Sequence, residues 1–438
     1  MVTDETSTAE SSQLTDGDAR QRLALGVQWV FPETDGKRVT WLRGTPQIVG
    51  RDSSCETALT GEEVSRRHAE LRRTGPLCLV RDLGSKNGVF VNGQQVASAA
   101  FSAGDVLRVG EWVGVAVQAA MDERMEIGEL GPGLLGGVAL GRVVAHARSA
   151  AGSLLPVTLL GETGTGKERV AHAVHEWSGR EGPLLAVNCA SYTEGLAAAQ
   201  LFGHRKGAFT GAENSSLGHI RSAEGGTLFL DEIAELPQCV QAQLLRVIEQ
   251  GEVLPVGETK VVRVNVRFMC AAQLPLATLV AENRFRADLR ARLEGVRLEL
   301  PPLRERRSDI PLLSERFLRQ YAGDSPPALD ARLVEALCMR TWPLNVRELD
   351  LLMRRLLALF PDEPAFKLTK VLPLLDAPLA AAASEAPKAR RKRPIDESQR
   401  ELLDAALGRC NGNLTRAAAE VGITRAKAYR LLGAKKTD

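Results

Sequence analysis

The chain has 438 residues, 44% of them hydrophobic and 25% charged, too many for a single core and ordinary for about three soluble globular domains. Its formal net charge of only +2 excludes a general polyanion binder, yet residues 376–438 carry thirteen Lys and Arg against eight Asp and Glu, which places any nucleic-acid contact at that end. Seven cysteines without C-x-x-C spacing exclude a zinc or disulfide framework, no apolar run reaches the roughly 20 residues of a membrane helix, and the acidic start is unlike a signal peptide, so a cytoplasmic protein with no membrane contact is expected.

Residues 1–24, rich in Ser, Thr, Asp, Glu and Gln, read as a disordered segment. Over residues 25–120, short alternating runs (PQIVGR, PLCLVRDLG, GVFVNG, DVLRVGEWVGVAV) broken by Gly, Asn, Asp and Pro predict an all-β sandwich. Inside it stand Gly50-Arg51, then Ser65-Arg66-Arg67-His68, then Asp82-Leu83-Gly84-Ser85-Lys86-Asn87-Gly88, then Asn92-Gly93. That order and spacing resemble the forkhead-associated (FHA) domain, which implies phosphothreonine binding by a partner protein or by a phosphorylated segment of this chain. Arg51 pairs with phosphate, Ser65 donates its hydroxyl, Arg66 adds charge, and Ser85, Lys86 and Asn87 complete the ligand loops. Lys86 stands where the family often has Thr, and His68 is read as a packed structural residue.

From residue 134 to 307, strand-like runs (LLPVTLL, PLLAVN, GTLFL, VRFMCAA) alternate with helical patterns, the signature of a parallel α/β sheet, and a helical segment follows over 308–375. GETGTGKE (Gly161, Glu162, Thr163, Gly164, Thr165, Gly166, Lys167, Glu168) lies between an apolar strand and the helical RVAHAVHEW. Glycines turn backbone N–H groups inward around phosphates, Lys167 reaches the outer phosphates, and the helix start adds positive potential. Glu168 occupies the position where a P-loop normally has the Ser or Thr hydroxyl that holds Mg2+. In GGTLFLDEI a buried strand delivers Asp231 and Glu232 at its C-terminal end, Asp231 to hold Mg2+ and Glu232 to polarise a water attacking ATP. His172 and His175 share a helix face without a third ligand and read as structural.

GETGTGKE, VNCA, LFGHRKGAFTGA, GGTLFLDEI, FRADLRARL, LPPLRERRSDIPLL and WPLNVREL, in this order, resemble the AAA+ domain of bacterial enhancer-binding proteins, the sigma-54-dependent activators. Lys-Glu at the end of the P-loop is that family's own form. The resemblance implies that Asn188 restrains the catalytic glutamate, that Arg286 and Arg292 act on a neighbouring subunit's nucleotide, and that Arg347 senses nucleotide from the lid. It also implies a homo-oligomer, dimer to hexamer. GAFTGA (Gly207, Ala208, Phe209, Thr210, Gly211, Ala212) presents what reads as an exposed Phe-Thr pair between glycines, and the resemblance names its partner as sigma-54 RNA polymerase. Two positions depart from the family. Ala271-Ala272-Gln273 lacks the usual Thr, and Leu344 replaces a glycine, which would strain a left-handed backbone. These two positions support the alternative of an ATPase-impaired, phosphopeptide-regulated DNA-binding switch or scaffold.

Residues 376–394 read as a linker ending in a basic run, and 395–438 as an all-α domain. NLTRAAAEVGITRAKAYRLL fits a helix-turn-helix in which Thr415 and Thr424 cap the two helices and Gly422 allows the turn. Arg416, Arg425, Lys427 and Arg430 then face upstream enhancer DNA. The segment resembles the Fis-type domain that ends enhancer-binding proteins. The expected fold is therefore multidomain: an all-β FHA sandwich, an α/β AAA+ P-loop NTPase with a helical lid, and a helix-turn-helix.

Overall fold

The computed structural model describes residues 23–376 apart from 75–76, 121–122, 194 and 324. Of the segment 1–24 read as disordered, residues 1–22 lie outside the described residues and Ala24 opens the first strand; the linker beyond Asp376 and the helix-turn-helix with Thr415, Arg416, Thr424, Arg425, Lys427 and Arg430 also lie outside them.

Eleven strands build the N-terminal sandwich: β1 (Ala24–Phe31), β2 (Val39–Trp41), β3 (Gln47–Gly50), β4 (Thr57–Ala58), β5 (Ala69–Thr74), β6 (Leu77–Asp82), β7 (Val89–Val91), β8 (Gln94–Val96), β9 (Ser98–Phe101), β10 (Val106–Val109) and β11 (Trp112–Ala119). They form two sheets, in the orders β2-β1-β11-β10-β7-β8 and β4-β3-β5-β6-β9. Val27, Trp29, Leu71, Val80, Leu107 and Trp112 interlock between them, the two indoles edge to face at 6.5 Å. A free-standing sandwich alternates buried and exposed residues, but β10 is buried at all four positions and β1 at six in a row. Something therefore covers the outer face of the first sheet.

The hairpin β12 (Gly128–Gly131) and β13 (Leu134–Gly136) leads into α1 (Val138–Ala151), followed by β14 (Val157–Leu160), α2 (Lys167–Trp177), β15 (Leu184–Asn188), α3 (Ala197–Phe202), α4 (Gly218–Ser222) and β16 (Thr227–Asp231). Next come α5 (Gln238–Gln250), the short hairpin β17 (Glu252–Val253) and β18 (Val262–Arg263), β19 (Arg267–Ala272), α6 (Leu276–Ala281), α7 (Ala287–Leu293) and β20 (Val296–Glu299). The five long strands pair in parallel in the order β15-β16-β19-β14-β20. Apolar residues bury both faces of this sheet: α1 and α2 pack through Leu140, Ala147, Val170 and Val174 on one side, while Leu201, Ile220, Leu244 and Leu289 cover the other. Continuous apolar runs such as VTLL and TLFL are what a strand covered on both faces requires. A lid of α8 (Ile310–Ala322), α9 (Ala331–Met339) and α10 (Asn345–Leu359) follows. Asp330 starts α9 by accepting the N–H of Leu333 at 2.6 Å.

Candidate functional site

Three loops at one end of the sandwich bring Arg51, Ser65, Arg66, Ser85, Lys86 and Asn87 together. The N–H of Arg51 donates to the Ser65 carbonyl at 2.9 Å, and the N–H of Lys86 donates to Ser65 Oγ at 3.1 Å. Asn87 Nδ2 donates to the Glu63 carbonyl at 2.8 Å. A Cβ at Gly50 would lie 2.3 Å from the Arg66 carbonyl oxygen, so the approach of the first two loops requires glycine there. The cationic side chains of Arg51, Arg66 and Lys86 are exposed around this cluster. His68 is fully buried beneath it: Nδ1 accepts the N–H of Ser65 at 3.1 Å, and Nε2 lies 3.1 Å from the Gly88 carbonyl. An imidazole nitrogen that accepts from a backbone N–H carries no proton, so Nε2 bears the hydrogen and donates to Gly88. Burial pushes the His68 pKa below its ordinary value. Sequence reasoning missed Glu63 and Asp82 as loop anchors. Asp82 Oδ1 accepts the Ser85 N–H at 2.8 Å and closes the turn of the segment DLGS.

In the α/β domain, Gly161 to Gly166 turn from β14 into α2 with Gly161, Gly164 and Gly166 all at positive φ. Lys167 Nζ donates to the carbonyls of Gly161 and Glu162 at 2.8 and 3.1 Å, and burial lowers its pKa against the opposing pull of Asp231 and Glu232. Strand β19 separates β14 from β16, so Gln273, just beyond the end of β19 and exposed, stands between the P-loop and the acidic pair. Glu232 sits in the left-handed region at φ 52°, with its N–H donating to Asp231 Oδ1 at 2.9 Å. Such a backbone is costly for a non-glycine residue and clusters at working sites. Asn188 is paired in register with Asp231 on the adjacent strand and caps the following turn by accepting the Ala190 N–H at 2.8 Å. Glu168 is exposed in the first turn of α2, where an acid favours the positive end of the helix.

The lid clasps the P-loop directly. Arg304 makes a two-pronged pair with Glu162 at 2.7 and 2.8 Å. Asn345, fully buried, donates to Glu162 Oε2 at 3.1 Å and to the Thr163 carbonyl at 3.0 Å, and accepts the Leu303 N–H at 2.7 Å. Arg306 donates to the Thr165 carbonyl at 2.9 Å. A Cβ at Gly164 would lie 2.1 Å from the Leu344 carbonyl oxygen, which makes that position glycine for packing as well as for its φ of +78°. The expectation of strain at Leu344 is corrected: its φ is −104°, an ordinary value, and the left-handed residues are Trp342 and Asn345 on either side. Arg347 is exposed beside Gly164.

Within one chain Arg286 and Arg292 point to solvent-exposed neighbours, Arg286 to Asp288 at 2.7 Å and Arg292 to Glu249 at 2.9 Å. The GAFTGA loop is a tight turn with Gly207 and Gly211 at positive φ, closed by the Gly207 N–H on the Ala212 carbonyl at 2.9 Å. One part of its expected geometry is corrected. Thr210 is exposed, but Phe209 is half-buried, its ring 5.0 Å from that of His204. The β17–β18 hairpin supports the loop from below, with Gly257 close against Ala208 and with Leu254, Val261 and Val262 exposed.

These sites define a P-loop AAA+ ATPase module with its lid, preceded by a β-sandwich with a cationic loop cluster. Four family descriptions match in order: "FHA domain" over residues 48–110, "Sigma-54 interaction domain" over 137–299, "AAA+ ATPase lid domain" over 304–383 and "Bacterial regulatory protein, Fis family" over 394–430. The chain is 41% identical over 280 residues to the transcriptional regulatory protein ZraR of Escherichia coli K12, covering 61% of each chain. It is 44% identical over 261 residues to the DNA-binding transcriptional regulator NtrC of Azospirillum brasilense, covering 59% of this chain and 52% of that one. The solved structure of NtrX from Brucella abortus in complex with ATP matches at 31% identity with a TM-score of 0.50 over 69% of each chain. The chain belongs to the family of sigma-54-dependent transcriptional activators and carries an FHA domain and a Fis-type helix-turn-helix. It spans about three fifths of the ZraR length and about half of the NtrC length. Among the described residues no helix is long and apolar enough to cross a membrane.

Proposed function

We propose that the protein hydrolyses ATP in a homo-oligomeric ring to remodel sigma-54 RNA polymerase, in the cytoplasm, while its C-terminal domain holds upstream DNA. The observation that carries this reading is the P-loop itself: glycines at positive φ, a lysine at the helix start and an acidic pair at the end of the next strand but one, clasped to a lid by Arg304, Arg306 and Asn345. The open space around Gly166 leaves its backbone accessible to a phosphate. Lys167 would hold the outer phosphates of the substrate ATP, and Glu232 would orient the attacking water. Mg2+ held at Asp231 would supply charge neutralisation for the phosphates. Arg286 and Arg292 would complete the site of the next subunit, Arg347 would report the nucleotide to the lid, and Asn188 would restrain Glu232 between turnovers. The ordinary backbone at Leu344 removes one support for an ATPase-impaired switch.

Thr210 and Phe209 form the contact to sigma-54, and Arg51, Ser65, Arg66, Ser85, Lys86 and Asn87 bind phosphothreonine on a partner protein or on this chain. The test pairs two measurements on the full chain: ATP turnover, and sigma-54 capture in the presence of an ATP transition-state mimic. Lys167→Ala abolishes the first and Thr210→Ala the second. Turnover that survives Lys167→Ala, or capture that survives Thr210→Ala, overturns the corresponding assignment.

A further inference from the structure

The buried outer face of the first FHA sheet is covered by the lid. Arg108, on β10, reaches across to Glu335 on α9 at 2.7 Å, and both side chains are buried. The second carboxylate oxygen of Glu335 accepts the N–H of Gly93 at 3.1 Å, at the β7–β8 turn. The Arg108 guanidinium also lies 3.7 Å from the centre of the Phe90 ring, which fixes its direction. Beside this ion pair, Arg307 donates to the Gly104 carbonyl at 2.7 Å, and Thr34 donates to Glu315 at 3.2 Å. Val30, Val115 and Ile127 close an apolar cluster with Leu312 of α8. Helices α8 and α9 of the lid meet strands β1, β10 and β11, together with the short turn Arg307–Asp309 that precedes α8.

That turn links two sites. Over Arg304–Arg307, Arg304 and Arg306 hold the P-loop while Arg307 holds the FHA domain. Two of the FHA anchors lie away from the phosphothreonine loops: Asn87 precedes β7 and Gly93 follows it, and Gly104 leads into the matching end of antiparallel β10. A ligand on Arg51, Ser65 and Arg66 therefore leaves the dock intact.

We infer that the FHA domain is a fixed extension of the AAA+ lid, docked through Arg108–Glu335, so that a phosphothreonine protein gripping the FHA loops grips the lid and alters nucleotide turnover. The dock stands on the contacts above; its regulatory consequence rests on the functional reading proposed for the FHA loops and the P-loop. A charged pair in a dry interface specifies one partner and one register, because each group is costly to bury without the other.

The test uses the full chain, with Arg108→Met and Glu335→Gln as single variants and the swap Arg108→Glu with Glu335→Arg as the rescue. Amide hydrogen exchange is read in β10 and α9, and ATP turnover is read with and without a degenerate phosphothreonine peptide pool. The single variants are expected to raise exchange in β10 and α9 together by at least about fivefold, a typical size for coupling between sites. They keep wild-type affinity for the peptide pool but lose its effect on turnover. Arg108→Met keeps the side-chain stem and Glu335→Gln keeps the Gly93 contact, so a folded protein is available even if the swap fails. Unchanged exchange in both single variants overturns the dock. A peptide effect on turnover that persists in variants with raised exchange overturns the coupling. Wild-type protein that binds no peptide or turns over no ATP strikes the functional reading and the coupling that rests on it, while the exchange result still decides the dock.

Discussion

The FHA loop cluster and the P-loop are the two places for which we propose a phosphate ligand, and they are finished to different degrees within one chain. The FHA cluster is tied loop to loop by its own backbone: Ser65 receives Lys86, Arg51 donates to Ser65, Asn87 is pinned on Glu63, and three exposed cations surround them. The nucleotide site has its cradle, lysine and acidic pair in place, yet Arg286 and Arg292 are engaged with Asp288 and Glu249 on the surface. Exposed pairs of that kind are weak and screened by solvent, so a better anion displaces them readily. On the function proposed above, one chain completes the first site and the second waits for another copy to supply its arginines.

The largest effect that would break this comparison is kinetic. Arg292→Ala, and separately Arg286→Ala, is expected to lower ATP turnover by roughly a thousandfold or more, the scale of arginine fingers on phosphoryl transfer. Binding of a fluorescent ATP analogue stays within about twofold, because an exposed side chain outside the cradle adds little to the ground-state complex. Mixing either variant with Lys167→Ala should restore part of the turnover, since one partner supplies the arginine and the other the P-loop. Turnover that is independent of protein concentration, with no recovery on mixing, would show that the nucleotide site is complete within a single chain.

For the FHA cluster the corresponding test is an equilibrium one. Arg51→Ala removes a charge-assisted bond to phosphate, worth about 1.5–3 kcal/mol, so affinity for a phosphothreonine peptide should fall by roughly ten- to a hundredfold at any protein concentration. Isothermal titration on dilute full-length protein reads it directly. An affinity that changes with protein concentration would give the FHA cluster the same dependence on a second copy as the nucleotide site.

A smaller effect follows from His68. Its buried ring resists protonation, so the unfolded chain binds a proton more readily than the folded one. The stability that this contributes is present above the unfolded value of about 6.5 and is lost as pH falls below it, by up to about 1.4 kcal/mol per pH unit. Between pH 7 and 5.5 the urea midpoint of the sandwich should drop further in wild type than in His68→Asn. Protonated Nδ1 would face the Ser65 N–H, so the loop that supplies Ser65 and Arg66 loosens first. Equal pH slopes in the two proteins would remove His68 as the pin between the loops.

The parts of both sites that obey local rules were legible in the sequence. Gly164, Gly166 and Lys167 follow an apolar strand, Asp231 and Glu232 close another, and Arg51 and Ser65 stand at the spacing of adjacent sandwich loops. Residues whose role depends on distant partners were not legible. Asn345 looks like an ordinary start to a helix, and only the folded chain brings it to Glu162 and Thr163, more than 180 positions away. Arg304 reaches Glu162 in the same way. Phe209 reads as exposed because its cover, His204, lies five residues back across a turn that no periodicity reveals. The dock did leave a trace. Strands β1 and β10 lack the polar alternation of a sandwich with one wet face, and Arg108 interrupts VLRV as a buried charge must, with a partner 227 residues further on. Continuous burial signals a cover without saying which element supplies it.

Leu344 gives the smallest effect and the sharpest check on the clasp between lid and P-loop. Were this position left-handed, restoring glycine would relieve roughly 1 kcal/mol of strain or more and speed any step in which the lid moves. Its φ of −104° is open to leucine, and the left-handed turns fall instead at Trp342 and Asn345. Leu344→Gly should therefore cost about 0.5–1 kcal/mol through the added freedom of the unfolded chain and leave turnover within about twofold. The Leu344 carbonyl that abuts Gly164 is a backbone group and survives the change, so the P-loop keeps its neighbour. A rise in thermal midpoint, or a turnover gain well beyond twofold, would mean that the lid adopts a left-handed residue at 344 during the cycle and that the clasp seen at Gly164 opens further than its contacts imply.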